Sequence, residues 1–324
     1  MILAIDAMGS DKGPSVFIEP VKRFVRDYDA EIRVYGDKEA LAALEGIEHV
    51  TVVPTTEVME MDDGPLAVRR KKDSSMVRAV TDLKEGLADG VVSAGSTGAL
   101  LSAGSLLVKT AEPVERAGIL CMIPTKTGEP FALLDTGANA SCTAEQMLNF
   151  AVIGKAYMKA VRGVKDPRIG LLNIGKEAHK GDEPHQEAYR LLKEAENLNF
   201  AGNVEPNKVF SGKYDVVIAD GFSGNVLEKA IEGTASFLMG SIQDALMNSG
   251  FLTKIGALII KGAVKKVKGL LDPNQYGGAL IAGLNKPIIK AHGNSKEEAV
   301  YNAILQLYRV VKEDVTEKVK EELR

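Results

Sequence analysis

Apolar and polar positions follow two rhythms along this chain. Short runs, apolar throughout and rich in β-branched residues, occur at Ile2–Ile5, Ile32–Tyr35, Val50–Val53, Gly90–Val92, Gly118–Met122, Phe131–Leu134, Ile169–Leu172, Phe200–Gly202 and Val216–Ala219. Runs of this kind predict strands covered on both faces. Between many of them lie stretches with helical spacing, at Ser15–Tyr28, Lys38–Leu44, Ser74–Leu87, Ala144–Val161 and Pro184–Asn197. Strand, helix, strand in this order predicts an α/β fold with a doubly wound, largely parallel sheet. From Gly224 the pattern turns mostly helical, with a last helix at about Ser295–Leu323. No repeat, low-complexity tract or linker divides the chain. Residues 1–324 are therefore expected to form a single catalytic α/β unit, with a helical excursion at about 225–272.

Composition narrows the function more than the fold. Apolar residues are 45% and charged residues 26% of the 324 positions, as in ordinary globular proteins. A net charge of −4 and 5% aromatics, with no Trp, argue against nucleic acid as a partner. Cys121 and Cys142 are too few for a disulfide framework or a four-cysteine zinc site, and they are expected to be reduced, cytosolic thiols. Met1–Asp6 lacks the basic start of a signal peptide. The uncharged run Gly90–Val108 has the length of a membrane span, but 9 of its 19 residues are Gly, Ser or Thr. It is read as a strand, a loop and a helix start in a soluble protein.

Candidate chemistry gathers where the strands end. Five apolar runs give way to a small polar residue and then a glycine: Asp6-Ala7-Met8-Gly9-Ser10-Asp11, Ser93-Ala94-Gly95-Ser96-Thr97-Gly98, Asp135-Thr136-Gly137-Ala138-Asn139, Asn173-Ile174-Gly175-Lys176 and Asp220-Gly221-Phe222-Ser223-Gly224-Asn225. In an open parallel sheet the carboxyl ends of the strands hold the ligand, and glycines there let backbone N–H groups approach an anion. Each end alone is equally a helix cap. Five together predict a phosphate-holding cleft. The common alternatives are not written here: there is no GxxxxGK[ST], no GxGxxG among Gly95, Gly98 and Gly104, no GxSxG and no metal-ligand spacing among the four histidines.

Seven stretches, in order from the N-terminus to the last helix, resemble the bacterial phosphate acyltransferases of phospholipid synthesis. They are Asp6–Gly9, Val68–Met76, Ser93–Leu100, Leu171–Gly175, Asp220–Val226, Gln275–Ala279 and Lys290–Gly293. The resemblance implies transfer of a long-chain fatty acyl group from acyl carrier protein to inorganic phosphate. It implies a fold similar to that of isocitrate and isopropylmalate dehydrogenases and of phosphotransacetylase. It also implies a homodimer without metal or nucleotide, cytoplasmic and peripherally membrane-associated, that supplies a membrane glycerol-3-phosphate acyltransferase. Two departures stand out: Gly9-Ser10-Asp11-Lys12 replaces the family's usual Gly-Gly-Asp-His, and the loop before Lys180-Gly181 carries an extra lysine at Lys176.

Such a reaction needs positioning and preorganised donors rather than a covalent intermediate, since phosphate is already a nucleophile near neutral pH. Lys180 is the candidate for neutralising phosphate or the departing thiolate, a position to which the resemblance also points; a solvated loop lysine is the bland alternative. Asp220 is a candidate proton acceptor or orienter of Lys180, and Asn225 a donor to the acyl oxygen or phosphate. Helix capping is the alternative for both. Gly9, Asp11, Ser93, Gly95, Ser96, Thr97, Gly98, Asp135, Asn139, Asn173, Gly175, Ser223, Gly224 and His292, the last after a short apolar strand, are candidate phosphate ligands. Arg69-Arg70-Lys71-Lys72 is either a solvated run or a docking patch for the acidic carrier protein.

Three rivals remain: a phosphotransacetylase acting on coenzyme A thioesters, a decarboxylating dehydrogenase, and a membrane-surface binding protein. Phe251–Leu271 adds a location. On a helical wheel Lys254, Lys261, Lys265 and Lys268 share one face, opposite Leu252, Ile255, Ile259, Ala263, Val267 and Leu270. With Lys266 the segment has five lysines and no acid, the composition of a helix lying in a membrane interface. Packing in a core or a dimer interface is the alternative.

Overall fold

The computed structural model describes residues 1–270 and 273–323. All nine expected strands form: β1 (Ile2–Asp6), β2 (Glu31–Gly36), β3 (Val50–Pro54), β4 (Gly90–Ser93), β5 (Gly118–Ile123), β6 (Phe131–Leu134), β7 (Arg168–Leu172), β8 (Asn199–Val204) and β9 (Val216–Ile218). Two more, β10 (Ala279–Ala282) and β11 (Ile288–Lys290), lie in the stretch whose pattern is mostly helical. Both are too short to show a period of their own.

The eleven described strands form one sheet in the order β3-β2-β1-β4-β11-β10-β5-β6-β9-β7-β8. Seven neighbouring pairs are parallel and three antiparallel. Strands β1–β4 and β11 run one way and β6–β9 the other. Antiparallel pairing through β10 and β5 joins the two halves. The reversal decides which strand ends meet.

Nine described helices cover the sheet: α1 (Ile18–Asp27), α2 (Ser75–Glu85), α3 (Thr97–Ala103), α4 (Ala144–Arg162), α5 (Glu183–Glu194), α6 (Gly221–Met247), α7 (Phe251–Leu270), α8 (Glu297–Lys312) and α9 (Val315–Leu323). Lys38–Leu44 is not the expected α-helix; Lys38–Leu41 is a turn and Ala42–Leu44 a short 3-10 segment. The expected final helix breaks at Asp314, whose φ of 50° stops one helix before the next begins. Alternation along β1 shows why both faces are buried. Leu3 and Ile5 pack with Phe24, Phe150 and Ile304, while Ala4 packs on the opposite face with Tyr35, Met76 and Val91.

α6 and α7 leave this core. Of the 27 residues of α6, only Gly221 and Gly224 are buried. Phe237 is 71% exposed, and Leu258 and Ile259 on α7 are 70% and 79% exposed. Burial in the core of this chain is thus ruled out for the apolar face of α7. Leu271 and Asp272, at the end of the expected helical excursion, and the side chains of Leu252, Lys254, Lys266, Lys268 and Leu270 lie outside the described residues. Among the described residues no helix is long and apolar enough to cross a membrane.

Candidate active site

Three adjacent strands end at one level. Ser93 of β4 is in register with Asp6 of β1 and with Lys290 of β11, so the three side chains share one face of the sheet. Asp6 is fully buried; Ser75 and Ser93 each donate a hydroxyl to it at 2.6 Å. Burial pushes its pKa up, against the pull of those hydroxyls. Ser93 also accepts the N–H of Gly95 at 3.1 Å. Its hydroxyl thus donates to Asp6 and accepts from the turn.

Gly9 and Gly95 bring the first two loops into contact, since a Cβ on Gly9 would lie 2.5 Å from the Cα of Gly95. Asp11 donates its backbone N–H to the carbonyl of Gly293 at 3.0 Å, tying the first loop to the one after β11. Asp11 itself is exposed, as are Thr97, Gly98 and His292. Ser96 caps α3, accepting from Ala99. His292 Nδ1 accepts the N–H of Asn294 at 3.1 Å.

On the other half, Asp135 follows β6 and is fully buried. Its Oδ1 accepts N–H groups of Ile119, Gly137 and Ala138, and its Oδ2 those of the Asn139 backbone and side chain, at 2.9–3.0 Å. Asn139 also donates to the carbonyl of Ala117. Both residues hold the loop in shape. The start of α6 presses on this loop: a Cβ on Gly224 would lie 1.9 Å from the Asp135 carbonyl oxygen.

Asp220 is the cap of α6, accepting the Ser223 N–H at 2.9 Å. Its other oxygen faces His185 Nε2 at 3.3 Å, and His185 Nδ1 faces Asp182. Burial opposes ionisation of Asp220, but His185 and the Ser223 donors prevail and hold its pKa at about 2. Asp220 is therefore an ionised partner of His185. Asn225, one turn on, donates to the Thr136 carbonyl at 3.0 Å.

The loop after β7 meets Asp220 through His185, which packs on Gly181. Asn173 donates to the carbonyl of Lys180 and accepts from Ile174, closing the loop on itself. Gly175 is buried beneath the Lys180 stem. Lys180 is half-buried and Lys176 exposed, and neither is among the residues that line the cavity below. β6, β9 and β7 are parallel neighbours, so the loops that follow them leave the sheet at the same edge, opposite to that of the loops after β1 and β4.

What the structure brings together is a cavity of about 340 Å³ over β10 and β5. Thr97, Thr136, Asn225, Lys290 and His292 line it alongside Met122, Ile123, Pro124 and Ile231. Cys121 also lines it, with its sulfur 3.2 Å from the Thr136 hydroxyl and 3.4 Å from Glu228. Burial, reinforced by Glu228, pushes the thiol well above its usual value, so it is no thiolate nucleophile. Burial likewise raises Glu228.

Comparison with known proteins decides the family. The model of the family described as "Fatty acid synthesis protein" matches residues 1–318. The phosphate acyltransferase of Ligilactobacillus salivarius is 43% identical over 321 residues, covering 98% of this chain and 96% of the relative. That of Streptococcus equi subsp. zooepidemicus is 44% identical over 323 residues, covering 99% and 96%. The chain belongs to the phosphate acyltransferase family.

Solved structures agree on the fold. A phosphotransacetylase from Streptococcus pyogenes superposes with a TM-score of 0.62 at 19% identity, covering 97% of this chain and 94% of that one. A 4-hydroxythreonine-4-phosphate dehydrogenase from Klebsiella pneumoniae gives 0.56 at 15% identity, covering 96% and 99%. Phosphotransacylases and a dehydrogenase thus share this largely parallel α/β architecture with the family. Three residues near the strand ends were passed over by the sequence reading: Cys121 and Glu228, far apart in the chain, and His185, whose signal was only its place three residues after the Asp182 cap.

Proposed function

We propose that the chain moves a long-chain fatty acyl group from the thioester of acyl carrier protein to inorganic phosphate, giving acyl phosphate for phospholipid synthesis. The observation that carries this reading is the match, over almost the whole chain, to relatives named phosphate acyltransferase at 43–44% identity. The cavity supports it through its chemistry. An apolar wall of Met122, Ile123, Pro124 and Ile231 suits the acyl chain, beside polar groups suited to an anion. A phosphate oxygen attacks the thioester carbonyl, the C–O bond forms, and the C–S bond breaks to release a thiolate. The tetrahedral oxyanion between these steps needs fixed donors, each worth roughly 3 kcal/mol. Thr97 and Asn225, both in the cavity lining, would supply them.

The carrier protein is acidic, and exposed Arg69, Arg70 and Lys72 offer it a cationic patch. Lys71 is excluded from that role because its ammonium is held by Asp63 and the Val58 carbonyl. The exposed apolar residues of α6 suit a second copy of the chain, and the lysines of α7 suit an anionic bilayer where the product is consumed.

The test is acyl phosphate formation from acyl carrier protein or acyl-coenzyme A with phosphate, trapped with hydroxylamine. Product from the carrier thioester, inhibited by free carrier protein but not by free coenzyme A, is expected. Competition by coenzyme A alone would make the enzyme a phosphotransacetylase.

A further inference from the structure

Lys290 is the last residue of β11 and only 9% exposed, yet it carries an ammonium in the middle of the sheet. Of its three N–H groups, one donates to the carbonyl of Ala291. Among the described residues no carboxylate forms an ion pair with it. Asp6, on the same face, is already occupied by Ser75, Ser93 and the N–H of Met8. On the other side the residue in register is Ala279, whose small side chain leaves open the cavity that Lys290 lines. The other lysine of the lining, Lys229, is paired with Glu232 at 2.8 Å.

A buried cation without an anionic partner is costly. Its persistence at the rim of a cavity calls for an anion that arrives from solution. We propose that Lys290 is the residue that binds the phosphate nucleophile, with His292 and Thr97 beside it, in place of the more obvious Lys180. This assignment rests on the acyl-to-phosphate reading for the identity of the anion. Burial also pulls the Lys290 pKa down to about 8, against the fields of Asp6 and Asp11. Phosphate binding must then weaken as Lys290 loses its proton. The charged and titratable groups around it are Asp6 and Asp11 at the end of β1, His292 in its own loop, Tyr276, Cys121 on β5, and Glu228, Lys229 and Glu232 on α6; burial holds Cys121 protonated, and the Glu232 pair outweighs burial to keep Lys229 charged.

The experiment is titration of the full chain with inorganic phosphate, read by calorimetry and by thermal protection. Wild type is expected to bind, with affinity falling about tenfold for each pH unit above 8. Lys290→Met should weaken binding at least about 100-fold, Lys290→Arg should restore part of it, and Lys180→Met should leave it within about threefold. Undiminished wild-type affinity up to pH 9.5, or loss in Lys180→Met with Lys290→Met intact, would overturn the assignment, and the first of these needs no variant to fold. Phosphate binding that follows Lys290 without acyl phosphate formation would sink the functional reading while leaving Lys290 as an anion site.

Discussion

Replacing Asp135 with alanine separates a structural carboxylate from a substrate ligand. The side chain accepts five N–H groups, and three of them, from Ile119 and from the Asn139 backbone and amide, belong to residues at most 7% exposed. Gly137 and Ala138 reach water and recover their hydrogen bonds; the other three do not. A stranded buried donor costs about 1–3 kcal/mol. Local relaxation offsets part of that, leaving about 4 kcal/mol, at the upper end of single-residue effects. Unfolding entropy of about 2.1 cal/mol/K per residue over 324 residues is about 0.7 kcal/mol/K. Asp135→Ala should therefore lower Tm by about 6 °C, measured by circular dichroism, and loosen the loop against which α6 starts. A Tm within 1 °C of wild type together with a raised KM for phosphate would show that the carboxylate meets substrate instead.

Gly224→Ala should destabilise by about 2–3 kcal/mol and lose most activity, because its methyl would overlap the Asp135 carbonyl and displace Asn225; a variant with wild-type Tm and turnover would refute the packing. His185→Gln tests the Asp220 pair. His185 is raised by Asp220, so its contribution is full below 6.5 and fades as pH rises through the raised value; that of Asp220 is full above 3.8 and fades towards pH 2. The wild-type advantage, about 2 kcal/mol, should peak between those two values, and a pH-independent difference in thermal scans would count against it. Ile255→Glu and Ile259→Glu, 41% and 79% exposed, should weaken co-sedimentation with anionic vesicles. Unchanged vesicle binding with a broken dimer would retire the membrane role of α7 in favour of packing against a second copy.

Nine of the eleven described strands, most helices and the α/β class were legible in the sequence because each depends on local period and burial. Ile2–Ile5 is apolar at every position, and that alone requires cover on both faces. The capping alternative was legible for the same reason: Ser96 and Asp220 each sit one residue before a helix and bond within the next turn. The family could be read from seven short stretches in order. What each polar residue does could not. Asp6, Ser93 and Lys290 meet only because β1, β4 and β11 are adjacent, although β11 lies almost two hundred residues further along the chain than β4. Asp135 and Asp220 look alike in sequence, a carboxylate and a glycine after an apolar run. One is consumed by five N–H groups and the other is held ionised by a histidine on α5. Sequence spacing determines which groups can cap and pair nearby; strand order and direction decide which buried charge is left without a partner, because desolvation and distance act through space and not along the chain.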